Sequence, residues 1–161
     1  MGPNRSYISF MLRLSKKADY GLVALMHLAS KGPGQSASAK EMADACSLPL
    51  PLLAKVLQKL TRQGFLAAVH GTNGGYRLAR DAGGISALEV IRAIDGPVFL
   101  TSCSSGETDC HRTSKCTARG PLEKIRDDIL RLLDAITISE MASGREPEAP
   151  LVRLAATRTS V

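Results

Sequence analysis

Three of the chain's four cysteines, Cys103, Cys110 and Cys116, fall within 14 residues and are spaced C-x6-C-x5-C. The residues between them are small, polar or charged: Ser104, Ser105, Gly106, Asp109, Thr113, Ser114 and Lys115. Such a segment has almost no apolar area to bury, so hydrophobic packing is not what orders it. Three thiols within reach of one another suit a soft metal ion or a cluster. The competing readings are a thiol–disulfide pair with a spare cysteine, and a polar loop whose cysteines are incidental. The fourth, Cys46, sits in an apolar helical pattern and reads as a small buried hydrophobe.

The rest of the chain must position that segment. At 161 residues it is long enough for one domain with appendages. Apolar residues make up 44% but aromatics only 4%, and tryptophan is absent, so leucine and alanine fill the interior and helices are expected. No apolar run approaches the roughly 18 residues of a membrane span. The first residues, M-G-P-N-R-S-Y-I-S-F, lack an apolar signal core. The expectation is therefore a cytoplasmic protein with no membrane partner, whose reduced thiols favour metal or sensing chemistry over structural disulfides. Residues 1–10 read as a loose leader, with Met11 as an alternative start.

The net charge of +6 is unevenly distributed. Residues 1–95 carry 12 Lys/Arg against 6 Asp/Glu, whereas residues 96–161 carry 9 of each. An anionic partner would thus bind the first part, and double-stranded DNA is the natural candidate.

A helix is expected over 15–30, capped by Ser15 and stopped by Gly32-Pro33-Gly34. A short second helix over 38–46 opens on the capping box Ser38-Ala39-Lys40-Glu41. A turn at Ser47-Leu48-Pro49-Leu50-Pro51 leads into a third helix from about Pro51 to Gln63. Leu52, Leu53, Val56, Leu57 and Leu60 lie on one side of it; Lys55, Gln58, Lys59 and Arg62 are expected on the other. Phe65–His70 and Tyr76–Leu78 read as strands joined by Gly71-Thr72-Asn73-Gly74-Gly75. Helix, turn, helix and hairpin together predict a winged helix. Its DNA-facing candidates are Ser38, Lys40, Ser47, Lys55, Gln58, Lys59 and Arg62 from the helices, and His70, Thr72, Asn73 and Arg77 from the wing.

Ser86-Ala87-Leu88-Glu89 is a second capping box and starts a fourth helix that stops at Gly96-Pro97. The cysteine segment occupies 96–120. Beyond it, Leu122, Ile125, Ile129, Leu132 and Ile136 recur at intervals of 3, 4, 3 and 4, a seam for pairing two helices, so one long dimerisation helix is expected over 121–142. Residues 143–161 carry proline and mixed charge with no period and read as a disordered tail. The expected fold is mainly α: a winged helix-turn-helix over 11–95 with a small hairpin wing and a long C-terminal dimerisation helix. An enzyme or small electron carrier is the reading from a different class. No paired acid and base, no phosphate fingerprint and no second ligand set support it.

Four stretches resemble the Rrf2 family of winged-helix regulators: M-L-R-L-S-K-K-A-D-Y-G-L-V-A-L-M-H-L-A (11–29), L-L-A-K-V-L-Q-K-L-T-R-Q-G-F-L (52–66), G-T-N-G-G-Y-R-L (71–78) and the three cysteines. Within the family the chain looks most like the branch regulating iron–sulfur assembly operons of the SUF type. The resemblance implies a DNA-binding homodimer, a repressor of such genes, and an iron–sulfur cluster (2Fe–2S first, 4Fe–4S as the alternative) on Cys103, Cys110 and Cys116. It departs from the family in its first cysteine gap, six residues instead of five. It also has Arg119 where one branch places a histidine ligand, and a guanidinium cannot ligate. Asp19 is where other members present an acidic ligand from the partner subunit. Asp19, His111 and an exchangeable small ligand are then the options for the fourth position.

Overall fold

The computed structural model describes residues 14–72, 74–101 and 115–144. The leader, Met11, Asn73, Cys103, Cys110, His111 and the tail beyond Gly144 lie outside the described residues. Helix α1 (Lys16–Lys31) is capped by Ser15, whose hydroxyl accepts from the Ala18 N–H at 3.0 Å. Its apolar positions recur with helical period, and Ala18, Ala24, Leu25 and Leu28 are fully buried. Strand β1 (Ser36–Ala37) follows, then α2 (Ala39–Cys46), whose start is the complete Ser38–Glu41 capping box. Helix α3 (Leu50–Arg62) enters after Pro49 and buries Leu53, Val56, Leu57 and Leu60. Strands β2 (Leu66–Val69) and β3 (Gly75–Leu78) form the hairpin. A 3-10 turn (Ala82–Gly84) precedes α4 (Ala87–Asp95), which again opens on a complete capping box, Ser86–Glu89.

The mainly helical winged-helix expectation holds, and the sheet has one more strand than the sequence suggested. The order is β1-β3-β2, antiparallel throughout, with Ala37 opposite Tyr76 and Ala68 opposite Tyr76 on the other side. Gly75 makes the third strand possible. A Cβ there would overlap the Ala37 carbonyl and stand 2.8 Å from the Ser38 nitrogen. Only a residue without one lets β3 lie against the point where β1 becomes the N-cap of α2.

The single helix expected over 121–142 is two helices. Helix α5 runs Arg119–Ala135 and α6 runs Ile138–Ala142, with Ile136 extended between them. The break is imposed from outside the helix. The Ala87 N–H donates to the Ile136 carbonyl and the Ile138 N–H to the Ile85 carbonyl, both at 2.9 Å, so the chain pairs across Ser86–Thr137. Backbone paired in this extended way cannot continue an α-helix. Thr137 then caps α6 through a third capping box with Glu140. Ile136 therefore leaves the expected seam, and α6 returns to the body of the molecule. There it packs on α1 with Ile138 fully buried. The core thus gathers α1, α2, α3, α4 and α6 with the inner face of the sheet, and α5 lies against α4 at its edge.

Candidate nucleic-acid interface and cysteine connection

Helices α2 and α3 meet at Ser47, which has φ 53° and ψ 44° and is the one non-glycine residue with positive φ among the described residues. Its N–H reaches the Ala43 and Asp44 carbonyls, and the Leu48 N–H reaches Ala43 O at 2.9 Å, closing α2 in a tight left-handed turn. The turn turns the chain into α3 while leaving Ser47 exposed. No side chain caps the first turn of α3, whose N-cap is Pro49. From that end an exposed row runs along the outer face: Lys55, Gln58 and Arg62, with Lys40 exposed on α2 and Ser38 half-buried at its cap. On the wing, His70, Thr72 and Arg77 are exposed. Arg77 sits on the central strand opposite Ser36 and Ala67.

Lys59 departs from the expectation. It is half-buried, and its ammonium donates to the Ile94 carbonyl at 2.7 Å. Lys59 is one turn from both Lys55 and Arg62 on the same side of α3, but it stands at the edge of that row nearest the buried Val56, and its stem runs towards α4. It is removed from the set of outward cations.

Among the cysteines, Cys46 and Cys116 are described, and both are free thiols. Cys46 closes α2 and is half-buried, a partial departure from the fully buried hydrophobe expected. Burial pushes its thiol pKa up, which keeps it protonated and a poor ligand. Cys116 is half-buried three residues before α5, at the end of the connection from α4. Asp19 is exposed in the first turn of α1, where the helix N-terminus favours a carboxylate. Among the described residues, no group of three or more histidine, cysteine or acidic side chains converges on a metal position. The donor chemistry suits an iron–sulfur cluster all the same: three thiols on one connection are the soft ligands such a cluster takes.

Helix α5 carries the seam. None of its residues is buried. Ile125 and Leu132 are 49% and 45% exposed, and Leu122 and Ile129 are half-buried. Leu133, one turn beyond Ile129, packs against the core. No described helix is long and apolar enough to cross a membrane.

The family model described as Rrf2, iron-dependent transcriptional regulator, matches residues 14–144. The chain belongs to the Rrf2 family. It is a winged-helix transcriptional regulator, and its fold is shared by solved members. CymR (YrzC), the global cysteine regulator of B. subtilis, is 27% identical with a TM-score of 0.72, over 84% of this chain and 100% of that one. The oxidized form of Staphylococcus aureus CymR is 27% identical with a TM-score of 0.66, over 84% and 99%. T. potens IscR is 28% identical with a TM-score of 0.67, over 84% and 89%. The third strand and the α5–α6 break were the features sequence reasoning missed. The Thr137-Ile138-Ser139-Glu140 capping box was the available signal for the second. A two-residue strand leaves no readable periodicity for the first.

Proposed function

We propose that this Rrf2 regulator is a homodimeric repressor that binds a double-stranded operator and senses an iron–sulfur cluster held by Cys103, Cys110 and Cys116, acting on iron–sulfur assembly genes. The observation that carries the reading is where the thiols fall. All three lie on the one connection between α4, packed in the winged-helix body, and α5, which carries the exposed seam. Whatever those thiols hold acts on the joint between DNA-binding unit and partner subunit. A bound cluster would supply an exchangeable, redox-active group whose presence reports iron or oxidant. The chain's own residues supply the rest. Lys55 and Arg62 neutralise phosphates, and Ser47 and Gln58 approach base edges. His70, Thr72, Asn73 and Arg77 bring the wing to the backbone or minor groove, with Ser38 and Lys40 at the flank. Asp19 is the proposed fourth ligand from the partner subunit. The seam Leu122, Ile125, Ile129 and Leu132 pairs with a second copy and sets the spacing of two half-sites.

Anaerobic purification with a visible spectrum, plus iron and acid-labile sulfide per monomer, tests this. A coloured protein containing both, and losing both in Cys110→Ala, supports it. A colourless protein without either, after anaerobic reconstitution, overturns the cluster. A second reading then takes over, a thiol–disulfide switch on the same scaffold, which the oxidized form of the S. aureus CymR relative favours.

A further inference from the structure

The last turn of α4 is tied to both neighbouring helices at once. The Ile94 carbonyl, one of the orphan acceptors at a helix C-terminus, takes the Lys59 ammonium of α3 at 2.7 Å. A cation there also suits the negative end of the helix dipole. The next residue, Asp95, accepts from the hydroxyl of Ser15 at 2.6 Å, the same hydroxyl that caps α1. The Ile94 side chain lies in a notch left by Gly21 of α1. A Cβ on Gly21 would overlap Ile94 Cδ1 and would stand 3.5 Å from Val56 Cγ1 and 3.7 Å from Leu60 Cδ1 of α3. Side chain, carbonyl and carboxylate of two successive residues therefore lock α1, α3 and α4 at one point. Immediately beyond it, Gly96 turns the chain out of the helix with φ 86° towards the cysteine connection.

We propose that this junction positions the recognition helix, with Lys59 as its positioning residue rather than a phosphate contact. The inference rests on the reading of α3 as the DNA-facing helix. Movement of the chain leaving α4 then reaches α3 through a single charged hydrogen bond and one apolar notch, with no loop between to absorb it. Ser15–Asp95 holds the same turn against α1, so α4 cannot shift relative to α3 without also pulling on α1.

Two full-length variants and two DNA probes test this: a duplex selected from a randomised library by the wild-type protein, and a scrambled duplex of equal length. Lys59→Met keeps the stem and loses the donor. Asp95→Ala removes an exposed acceptor and leaves the Ser15 cap intact. For both, affinity for the selected duplex is expected to fall about five- to tenfold. Scrambled-duplex affinity and the salt slope should stay as in wild type. Asp95→Ala is the sharper arm: deleting a negative charge would by electrostatics alone tighten DNA binding, so weaker specific binding has the opposite sign. Should Lys59→Met fail to fold, Asp95→Ala carries the test alone.

The proposal is overturned if Lys59→Met weakens both duplexes equally and lowers the salt slope by about one phosphate contact. It is also overturned if Asp95→Ala leaves specific binding unchanged or tightened. Lys55→Ala separates the two levels. If it weakens both duplexes while Lys59→Met and Asp95→Ala change nothing, only the junction falls. If Lys55→Ala also changes nothing, the DNA-facing role of α3 falls and takes the junction with it.

Discussion

Ser47 occupies a conformation that glycine would adopt at less cost. A non-glycine residue in the left-handed region costs roughly 1–2 kcal/mol. Replacing it with glycine recovers that, but gives back about 0.5–1 kcal/mol through the freer unfolded chain. Ser47→Gly is thus expected to keep thermal stability within about 1 kcal/mol of wild type while weakening operator binding, because only the hydroxyl is lost. Equal loss of folding and binding would mean the serine holds the turn and reads nothing. The cysteines divide in the same manner. Burial holds the Cys46 thiol protonated, whereas Cys116 stands at the end of the cysteine connection. Iron and sulfide content should survive Cys46→Ala and be lost in Cys116→Ala. Retention of both elements by Cys116→Ala would remove it from the ligand set. The separation of Cys46 from the other three was legible in the sequence, since its neighbours recur with helical period and theirs do not. The inward turn of Lys59 was not: a helical wheel gives the face, but the acceptor that draws the ammonium in is 35 residues away on α4.

Three of the described helices begin with capping boxes. The Ser38 backbone N–H donates to Glu41 at 2.6 Å and, with the Ser38 hydroxyl, holds its carboxyl below the ordinary range. The Thr137 N–H and hydroxyl, each at 2.8 Å, do the same to Glu140. A carboxyl whose folded pKa is depressed contributes stability above its unfolded pKa, and loses that contribution as pH falls through the folded value. The melting temperature should therefore fall on acidification below the ordinary carboxylate range, and Glu41→Gln/Glu140→Gln should fall less steeply. Identical slopes would show that the boxes are not the groups that titrate. Local signals of this kind made α1, α2 and α4 readable, each with a capping side chain and an apolar face, while α3 shows its apolar face and prolines at its start in place of a cap. The α5–α6 break was unreadable from the 3-4 spacing, which runs through Ile136 unbroken. What ends α5 is a backbone pairing to Ile85 and Ala87, set by the tertiary fold. The consequence is testable at Ile138, which is fully buried where α6 meets α1. Ile138→Ala should destabilise by about 2–5 kcal/mol in chemical denaturation. A surface-like cost below about 0.5 kcal/mol would mean that α6 is not part of the cooperative unit.

At the scale of the whole molecule, α5 is the element the single chain leaves unfinished. It has 17 residues, an apolar seam and not one buried residue. Ile125 and Leu132, two helical turns apart, are exposed, and Leu122 and Ile129 on the same seam are half-buried. In the proposed homodimer a second copy of the same helix covers that seam, since a two-fold interface uses the same patch on both subunits. The core is built from α1, α2, α3, α4 and α6 with residues of the sheet, and of the apolar residues on α5 Leu133 alone packs against it. Ile125→Asp and Leu132→Asp should therefore leave helical content and the unfolding midpoint of the monomer nearly unchanged while shifting sedimentation to the monomer mass. Operator affinity should collapse much further than scrambled-duplex affinity, because one subunit then reads one half-site and the second half-site binds as an independent event. A variant that stays dimeric would place the interface elsewhere. A variant that becomes monomeric yet keeps full operator affinity would mean that each winged helix reads its site alone, and that the cysteine connection does not act through subunit spacing.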